Sequence, residues 1–543
     1  GLLIGAYEKD MRFWAEEGTP LDFAHELFAD DLDRIEDNMM RAIDRVPAVG
    51  TAGIKRVING PMIWSPDSNV LFGPHPDLTN YFCCNGIIPG FSQSGGMGLM
   101  SAQWMVEGES QYDMFAWDVA RFGDWADKAF TKARVGDQYA KRFAIHFPNE
   151  ERDAGRPVRT RPAHALQTTL GGVFGLNYGW EHVQWFADHP GAKDTNGFTR
   201  QNWFEPVGRE CRMLRNTAGI IDISNFAKYR VCGGQAEAWL NAVFANKMPK
   251  AVGRSCLTPL IGVRGGIAGD FTVTRLAEDE FMIIGSGMAE RYHQRFWKMV
   301  PMPAGVSFES LTEALCGFNV AGPKSRALLQ RLTNTSLATE DFPFMRSKRI
   351  ELAGVDCVAL RVSFTGDLGW ELHCNTEDQL RLYEALLDCA KDFDASPVGA
   401  RALMSLRVEK GYGSWSREYS PEYWPQEVGL AGLIKLDKDF LHKEAYLAIK
   451  DKDPRERLCI VEILAPDHAD ATGGEPIFDK AGAGVGRVTS GTYGYGVNKS
   501  LALCYLKNVT AGDELDVMIL GKPHHAIVLP EAPFDPKGEK LRA

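Results

Sequence analysis

A tryptophan and a carboxylate stand side by side after a glycine-bounded turn, in Ser363-Phe-Thr-Gly-Asp-Leu-Gly-Trp-Glu371. The apolar run before this turn predicts a strand, and Gly366 and Gly369 suit a turn that needs positive φ. Trp370 offers an aromatic face, and Glu371 can accept hydrogen bonds from ring N–H groups. The pair therefore suits a flat, amine-rich heterocycle. The alternative is a strand-end turn that carries a solvated glutamate.

A second carboxylate follows a glycine-rich stretch, in Gly265-Gly-Ile-Ala-Gly-Asp270. Glycines let a ligand approach the backbone closely, and the residues that follow predict a strand that begins at Asp270. A carboxylate at the rim of a sheet can orient or deprotonate an amine. The alternative is an aspartate that only stabilises the turn.

Glycines are also concentrated in Pro89-Gly-Phe-Ser-Gln-Ser-Gly-Gly-Met-Gly98, ahead of a predicted helix over 99–106. Backbone N–H groups at the start of a helix favour a phosphate or the carbonyl edge of a heterocycle. The spacing is not the G-x-G-x-x-G fingerprint of a dinucleotide site, because the preceding strand and the following acid are missing. We predict a ligand-facing bend at these glycines.

The composition is that of a globular protein with 543 residues, of which 45% are hydrophobic and 24% charged, enough for about three or four domains. The net charge of −11 and the lack of long basic runs argue against nucleic-acid binding. No apolar run reaches the roughly 18 residues of a membrane span. The 11 cysteines show no C-x-x-C spacing, which indicates a reducing compartment and neither a zinc site nor a disulfide framework.

Composition and periodicity divide the chain into four predicted domains, 1–121, 122–174, 175–448 and 449–543. In the first domain we expect strands over 2–7, 54–58 and 80–84 and a helix from Thr19 to about residue 46. In the third we expect helices over 236–245 and 378–391 and strands over 271–275 and 281–284. In the last, strands over 458–464, 484–490, 500–506 and 514–519 predict a small antiparallel barrel or sandwich.

The turn at 363–371, together with Arg401 downstream, resembles the pterin-binding signature of the glycine cleavage T-protein (aminomethyltransferase) family. Asp270 stands where that family has a carboxylate against the folate N5/N10 edge. The family often shows two acids there, and Gly269 replaces the first of them in this chain. The resemblance implies a catalytic role for Asp270 and folate contacts from Trp370, Glu371 and Arg401.

Two further segments resemble the same family. Asp222-Ile-Ser224 is similar to a segment beside the folate site, and a helix cap is an equally good interpretation of it. Gly486–Gly496 is similar to the family's C-terminal barrel motif. Tyr493 would then contact folate, and Tyr495 is its neighbour on the same motif. Both tyrosines could equally lie on the surface of the barrel.

Motifs in the same order along nearly the whole chain, among them Asn59-Gly-Pro61 and Ser94-Gly-Gly96, are similar to the dimethylglycine/sarcosine dehydrogenase family. That family fuses a flavin oxidoreductase domain to a T-protein-like folate domain. The resemblance implies an α+β multidomain fold with a partial flavin-oxidoreductase α/β domain, a T-protein-like folate domain and a C-terminal small antiparallel β-barrel. It also implies that Ser94, Gly95, Gly96 and Met97 face the flavin.

The implied activity is FAD- and tetrahydrofolate-dependent oxidative demethylation of a small N-methyl amino acid, with an electron-transfer flavoprotein as a candidate partner. The implied location is the bacterial cytoplasm or the mitochondrial matrix. Nothing in the chain matches the family's N-terminal dinucleotide-binding segment, so we expect a preceding segment or a separate subunit to complete the FAD site. Two alternatives stay open: a flavin-independent, folate-dependent aminomethyltransferase, and a non-enzymatic folate-binding protein on the same scaffold.

Overall fold

The computed structural model describes residues 1–9, 11–24 and 26–543, which form two compact units. The first unit comprises Gly1–Ala102, Ala116–His146 and Arg152–Val158, and the second comprises Gln103–Phe115, Phe147–Glu151 and Arg159–Ala543. The helices are α1 (Glu36–Arg45), α2 (Gly90–Glu107), α3 (Lys128–Ala140), α4 (His164–Thr169), α5 (Phe204–Asn216), α6 (Ala236–Val243), α7 (Glu290–Trp297), α8 (Ser325–Gln330), α9 (Gln379–Ala390), α10 (Ala400–Glu409), α11 (Lys443–Leu447) and α12 (Glu539–Arg542). The strands are β1 (Leu71–Pro74), β2 (Phe82–Asn85), β3 (Gly172–Asn177), β4 (Trp180–Phe186), β5 (Gly219–Asp222), β6 (Ala227–Cys232), β7 (Ser255–Ile261), β8 (Ile267–Ala277), β9 (Glu280–Gly285), β10 (Ser307–Ser310), β11 (Leu315–Ala321), β12 (Ser347–Leu352), β13 (Val355–Leu360), β14 (Gly369–Asn375), β15 (Ser396–Val398), β16 (Arg457–Ile463), β17 (Pro476–Asp479), β18 (Gly484–Gly494), β19 (Lys499–Leu506), β20 (Glu514–Ile519) and β21 (Lys522–Val528).

The first unit consists mainly of helices and irregular segments. Strands β1 and β2 pair antiparallel, and Phe72 in β1 is fully buried. Helix α3 begins after Asp127, whose side chain accepts a hydrogen bond from the backbone N–H of Phe130 at 2.8 Å. This cap satisfies one of the free N–H groups at the start of the helix. Helix α3 then buries Phe130, Val135 and Tyr139.

Most sequence predictions for the first sixty residues are wrong. No strand forms over 2–7 or 54–58, and the α-helix predicted from Thr19 begins only at Glu36. His25, which the predicted helix includes, lies outside the described residues. Apolar side chains of this stretch, such as Leu21, are exposed, so no buried face stabilises a long helix there. The strand predicted over 80–84 is present as β2.

The predicted glycine bend at 89–98 is also wrong, because α2 begins at Gly90 and contains Ser94, Gly95, Gly96 and Met97. Met97 is buried, whereas the other three residues are exposed. Each glycine costs a helix about 1 kcal/mol relative to alanine, and a propensity of this size is readily overridden by the rest of the structure.

The second unit contains two large sheets and a barrel. One sheet is antiparallel in the order β10-β6-β9-β8-β7. The other has the order β12-β13-β14-β11-β5-β15, and only the pairing of β15 with β5 is parallel. A cluster of buried apolar side chains, including those of Phe318 and Tyr383, packs one face of the second sheet against α9. The opposite face of that sheet is therefore free to present polar groups.

The C-terminal strands close into a barrel in the order β16-β19-β18-β17-β20-β21. Four of these strands lie where the sequence predicts them, and the closed pairing confirms the barrel rather than the sandwich. The helices predicted over 236–245 and 378–391 are present as α6 and α9. The α+β multidomain fold class is thus confirmed. In the described part of the chain, no helix combines the length and apolar character needed to cross a membrane.

Candidate active site

The second unit contains a cavity of about 830 Å³ that is partly open to solvent. Its lining comes from both large sheets, from α10, from the segment 194–201 between β4 and α5, from the loop 412–419 after α10 and from the barrel strand β18. Of the residues predicted from the sequence, Asp270, Glu371, Arg401 and Tyr493 all lie in this lining. Four positions that span residues 270 to 493 of the sequence are therefore brought to one cavity.

Asp270 lies inside β8, opposite Pro259 of β7, and not at the start of the strand as the sequence suggests. Among the described residues it forms no ion pair. Burial raises the pKa of its carboxyl to about 6, because an apolar environment disfavours the charged form. A carboxyl with this pKa exchanges its proton near neutral pH. It can therefore act as a general acid or base in the cavity.

Tyr419 is a cavity residue that the sequence reasoning missed. Its phenol pKa is raised by burial and next by the nearby charge of Asp270. A neutral phenol beside this carboxyl can donate a hydrogen bond to it or to a ligand atom. The loop that carries Tyr419 follows α10, and no pattern in the sequence indicates that it folds back beside β8.

Glu371 and Trp370 lie on opposite faces of β14, which corrects the prediction that they form one binding wall. Glu371 lines the cavity, whereas Trp370 is fully buried in the apolar cluster beneath the sheet, 6.2 Å from the Phe342 ring. Successive residues of a strand point to opposite faces, so two adjacent side chains cannot both reach the same ligand. The stacking role predicted for Trp370 is therefore wrong in this structure.

A buried ion network fixes the turn that leads into β14. Arg215 of α5 pairs with Asp367 in the turn and, at 2.8 Å, with Glu409 of α10. Glu409 in turn accepts a hydrogen bond from the N–H of Gly496 at 2.7 Å. Gly366 has a φ of +83°, as the sequence predicts, whereas the same prediction is wrong for Gly369, which begins β14 without a positive φ. A Cβ added at Gly366 would lie 2.6 Å from the Lys410 side chain. The turn is therefore held by charges that no local motif reveals.

Arg401 lines the cavity but is already paired. Its guanidinium contacts both carboxylate oxygens of Asp194 at 3.0 and 2.6 Å and lies 5.1 Å from the Trp203 ring centre. Asp194 also accepts a hydrogen bond from the indole N–H of Trp185 at 2.7 Å. A bidentate pair of this kind fixes the plane of the guanidinium. Arg401 can thus present a flat cationic surface to a ligand in one orientation.

A second arginine holds the barrel side of the cavity. Arg200 makes a bidentate contact to Asp470 at 2.6 and 2.8 Å, and its guanidinium lies 4.4 Å from the ring centres of Phe204 and Tyr493. Tyr493 is therefore part of an aromatic–cationic wall, to which the more deeply buried Tyr495 also contributes. Asp194, Arg200 and Asp470 were not predicted, because their pairing joins residues that are distant in sequence.

Asp222 lies at the end of β5 and lines the cavity with its partners already in place. Its carboxylate accepts hydrogen bonds from Gln167 at 2.8 Å, from Gln379 at 3.2 Å and from the N–H of Ser224 at 2.9 Å. No helix follows it, so the predicted helix cap is wrong. Asp222 holds the chain in place and has little capacity left for a ligand.

The residues predicted to face the flavin belong to a different part of the chain. Ser94, Gly95, Gly96 and Met97 lie beyond the first turn of α2, where backbone N–H groups bond within the helix. They do not offer the free N–H groups predicted for a bend. Among the described residues, no group of three or more histidine, cysteine, aspartate or glutamate side chains is placed to hold a metal ion.

Comparisons with known families match three successive parts of the chain. Residues 163–438 match the GCVT N-terminal domain, residues 107–160 the FAD dependent oxidoreductase central domain, and residues 456–535 the glycine cleavage T-protein C-terminal barrel domain. The first match covers more than half of the chain and contains Asp270, Glu371 and Arg401.

Among curated proteins, the mitochondrial dimethylglycine dehydrogenase of Mus musculus is 35% identical over 98% of this chain. The mitochondrial sarcosine dehydrogenase of Homo sapiens is 28% identical over 100% of it. The chain spans only 62% and 64% of the length of these two relatives. Aminomethyltransferase T of the glycine cleavage system from Bartonella henselae superposes with a TM-score of 0.60 at 23% identity, covering 69% of this chain and 98% of that one. This last likeness concerns the fold alone.

Proposed function

The chain belongs to the family defined by the GCVT N-terminal domain, with dimethylglycine and sarcosine dehydrogenases among its homologues, and from this premise we propose that it transfers a one-carbon unit to tetrahydrofolate during the oxidative demethylation of a small N-methyl amino acid. The observation that carries the proposal is the cavity itself. Asp270 reaches it from one sheet and Glu371 from the other, with Arg401 on α10 completing the lining.

The lining suits tetrahydrofolate. Glu371 would accept hydrogen bonds from pterin N–H groups, and Arg401 and Arg200 would face the pterin or the carboxylates of the tail. Tetrahydrofolate supplies the amine nitrogens that take up the one-carbon unit. Asp270 would orient that amine and remove its proton, a role matched by a carboxyl pKa of about 6.

FAD would accept the hydride of the N-methyl group in the proposed reaction. Ser94–Met97 do not fit the flavin contact predicted for them, because they lie within a helix and offer no free N–H groups. We therefore propose that a further segment or a separate subunit holds the FAD. The N-methyl amine, an electron-transfer flavoprotein and a location in the mitochondrial matrix or the bacterial cytoplasm belong to the same proposal.

The second candidate is a flavin-independent aminomethyltransferase. It is favoured by one observation, namely that the second unit builds the whole cavity from its own residues. The two candidates differ in what the chain needs. An aminomethyltransferase would form 5,10-methylenetetrahydrofolate from an aminomethyl donor without flavin, whereas the proposed demethylation requires flavin and an electron acceptor.

The test compares Asp270→Asn with Glu371→Gln. We expect Asp270→Asn to bind tetrahydrofolate nearly as well as the unchanged chain but to form 5,10-methylenetetrahydrofolate about 100-fold more slowly or worse, the usual loss on removing a general acid or base. Binding is measured by calorimetry on the chain, and product formation in the presence of the flavin-bearing segment or subunit.

Glu371→Gln serves as the matched control, since it should weaken tetrahydrofolate binding while leaving the rate at saturation largely intact. An unchanged rate in Asp270→Asn would remove the catalytic role of that residue. Normal tetrahydrofolate binding by Glu371→Gln would remove the pterin contact.

A further inference from the structure

His373 lies two residues after Glu371 on β14, on the same face of the strand. Trp370, Leu372 and Cys374 point to the opposite face and pack into the apolar cluster. Glu371 and His373 therefore share the face that looks toward the cavity, with Glu371 in the lining and His373 fully buried behind it.

The ring of His373 has no close partner other than Glu371. Its Nε2 lies 3.5 Å from a carboxylate oxygen of Glu371, at the outer limit of a hydrogen bond, and neither ring nitrogen makes any shorter bond in the described structure. Buried polar groups are nearly always hydrogen-bonded, and an orphaned one calls for a functional or structural reason. A slight rotation of the Glu371 side chain would complete the bond.

The sheet makes room for this histidine. His373 lies opposite Gly317 of the neighbouring strand β11, and a Cβ added at Gly317 would lie 2.9 Å from Nδ1 of the ring. The next pair on the same face of the sheet places Glu371 opposite Asn319 of β11. Asn319 donates to the carbonyl oxygen of Trp370 at 3.2 Å and is itself buried. The ring is thus held in place on its Nδ1 side, which leaves Nε2 directed toward Glu371.

The surroundings keep His373 uncharged. Burial lowers the pKa of the imidazole, while the Glu371 carboxylate raises it and the nearby ammonium of Lys228 lowers it further. Lys228 is buried and donates to the carbonyl oxygens of Ser224 and Phe226, each at 2.9 Å. A neutral imidazole carries a single N–H, and among the described residues Glu371 is the charged acceptor that lies near it.

We propose that His373 is a positioning residue that donates its Nε2–H to the Glu371 carboxylate and so fixes the orientation in which Glu371 receives the N–H edge of the bound heterocycle. The proposal rests on the proposed function, because it assumes that Glu371 contacts the pterin. His373 itself touches neither the cavity nor the ligand and acts only through Glu371.

A double-mutant cycle tests this role, with the dissociation constant of tetrahydrofolate as the readout. We expect His373→Leu and Glu371→Ala each to weaken binding about tenfold, the loss typical of one hydrogen bond to a charged group. The double variant should bind no more than about twofold worse than Glu371→Ala alone, because no acceptor is left for the histidine to orient. His373→Gln, which keeps an N–H donor, should restore binding to within about threefold of the unchanged chain.

His293→Leu is the matched control. His293 is also fully buried with neither ring nitrogen paired to a side chain, but it packs against Phe271 and Trp415 on the Asp270 side of the cavity and does not contact Glu371. Whatever effect its substitution has should add to that of Glu371→Ala. Thermal unfolding of every variant checks that the fold is retained, and His373→Met replaces His373→Leu if the latter does not fold.

The outcomes separate the two proposals. Full additivity of His373→Leu with Glu371→Ala would show that His373 only fills space and would overturn the positioning role. Failure of His373→Gln to restore binding would do the same. An unchanged dissociation constant in Glu371→Gln would instead refute the pterin contact and, with it, the proposed function of this site.

Discussion

Glycine-rich sequences occur in two regions of this chain, and the structure uses them in different ways. In the turn before β14, Gly366 has a φ of +83° and lies against the Lys410 side chain, so a larger residue does not fit. In α2, Gly95 is exposed, and an added Cβ would meet no atom within 4 Å. The sequence predicts a ligand-facing bend for both segments. Only in the first do neighbouring side chains require a glycine.

The comparison indicates that a glycine is required in a turn when a neighbouring side chain occupies the space that a Cβ would fill. The turn at 363–369 is also fixed by the ion network of Arg215, Asp367 and Glu409, which delivers Glu371 to the cavity. The segment 94–97 has no comparable fixation in the described contacts. The predictions below test this difference, from the largest expected effect to the smallest.

Arg215→Met should break the network that holds the turn. Removing one partner leaves the buried carboxylates of Asp367 and Glu409 uncompensated, which typically costs about 3–5 kcal/mol. We expect the free energy of unfolding in urea to fall by about that amount. A loss below about 1 kcal/mol would show that the turn does not depend on these charges.

Asp270→Asn should stabilise the fold, in a manner that depends on pH. Folding raises the pKa of Asp270 from 3.8 to about 6, so its contribution to stability is fully present below pH 3.8 and is lost as pH rises through 6. At about 1.4 kcal/mol per pKa unit, the asparagine variant should gain up to about 3 kcal/mol at pH 8 and almost nothing at pH 4. Urea unfolding at both pH values measures the difference, and a gain independent of pH would contradict the assignment.

Gly366→Ala should destabilise the second unit by about 1–2 kcal/mol, the cost of forcing an L-residue into the left-handed region. The Lys410 side chain, which is paired with Asp535 at 3.0 Å, would also have to move. The change is measured as a lower urea midpoint at constant slope. An unchanged midpoint would mean that the turn adopts another conformation.

Gly95→Ala should have the smallest effect and the opposite sign. An exposed helical glycine replaced by alanine gains up to about 1 kcal/mol, and nothing lies near the added methyl group. We expect a small rise in thermal midpoint. A fall would indicate that Ser94–Met97 form a bend in which the glycine is required.

The sequence predicts the C-terminal barrel and helix α9 well, because their apolar periodicity is continuous and their turns are marked by glycine and aspartate. It fails over residues 19–35, where apolar side chains remain exposed and no buried face supports a helix. Local sequence patterns predict an element correctly where that element buries its own apolar face. They fail where the element is stabilised by contacts between residues that are distant in sequence.

For the site, the sequence points to Asp270, Glu371, Arg401 and Tyr493, and all four line one cavity, although their roles stay predictions. The two-residue period of β14 would have placed Trp370 away from Glu371 and His373 beside it. No such signal exists for Arg200 and Asp194, whose partners in the barrel and in α10 are defined only by tertiary structure.

The parallel pairing of β5 with β15 has a consequence for how the protein is made. It places residues 219–221 against 396–398, and the cavity still lacks Tyr493 until β18 has been added. Pairings between such distant segments form slowly, because a long loop must close before any contact compensates its entropy. A nascent chain that has left the ribosome as far as residue 450 therefore carries both acids but not the complete lining of the cavity. That lining is complete only after β18 and the residues that follow it have been made.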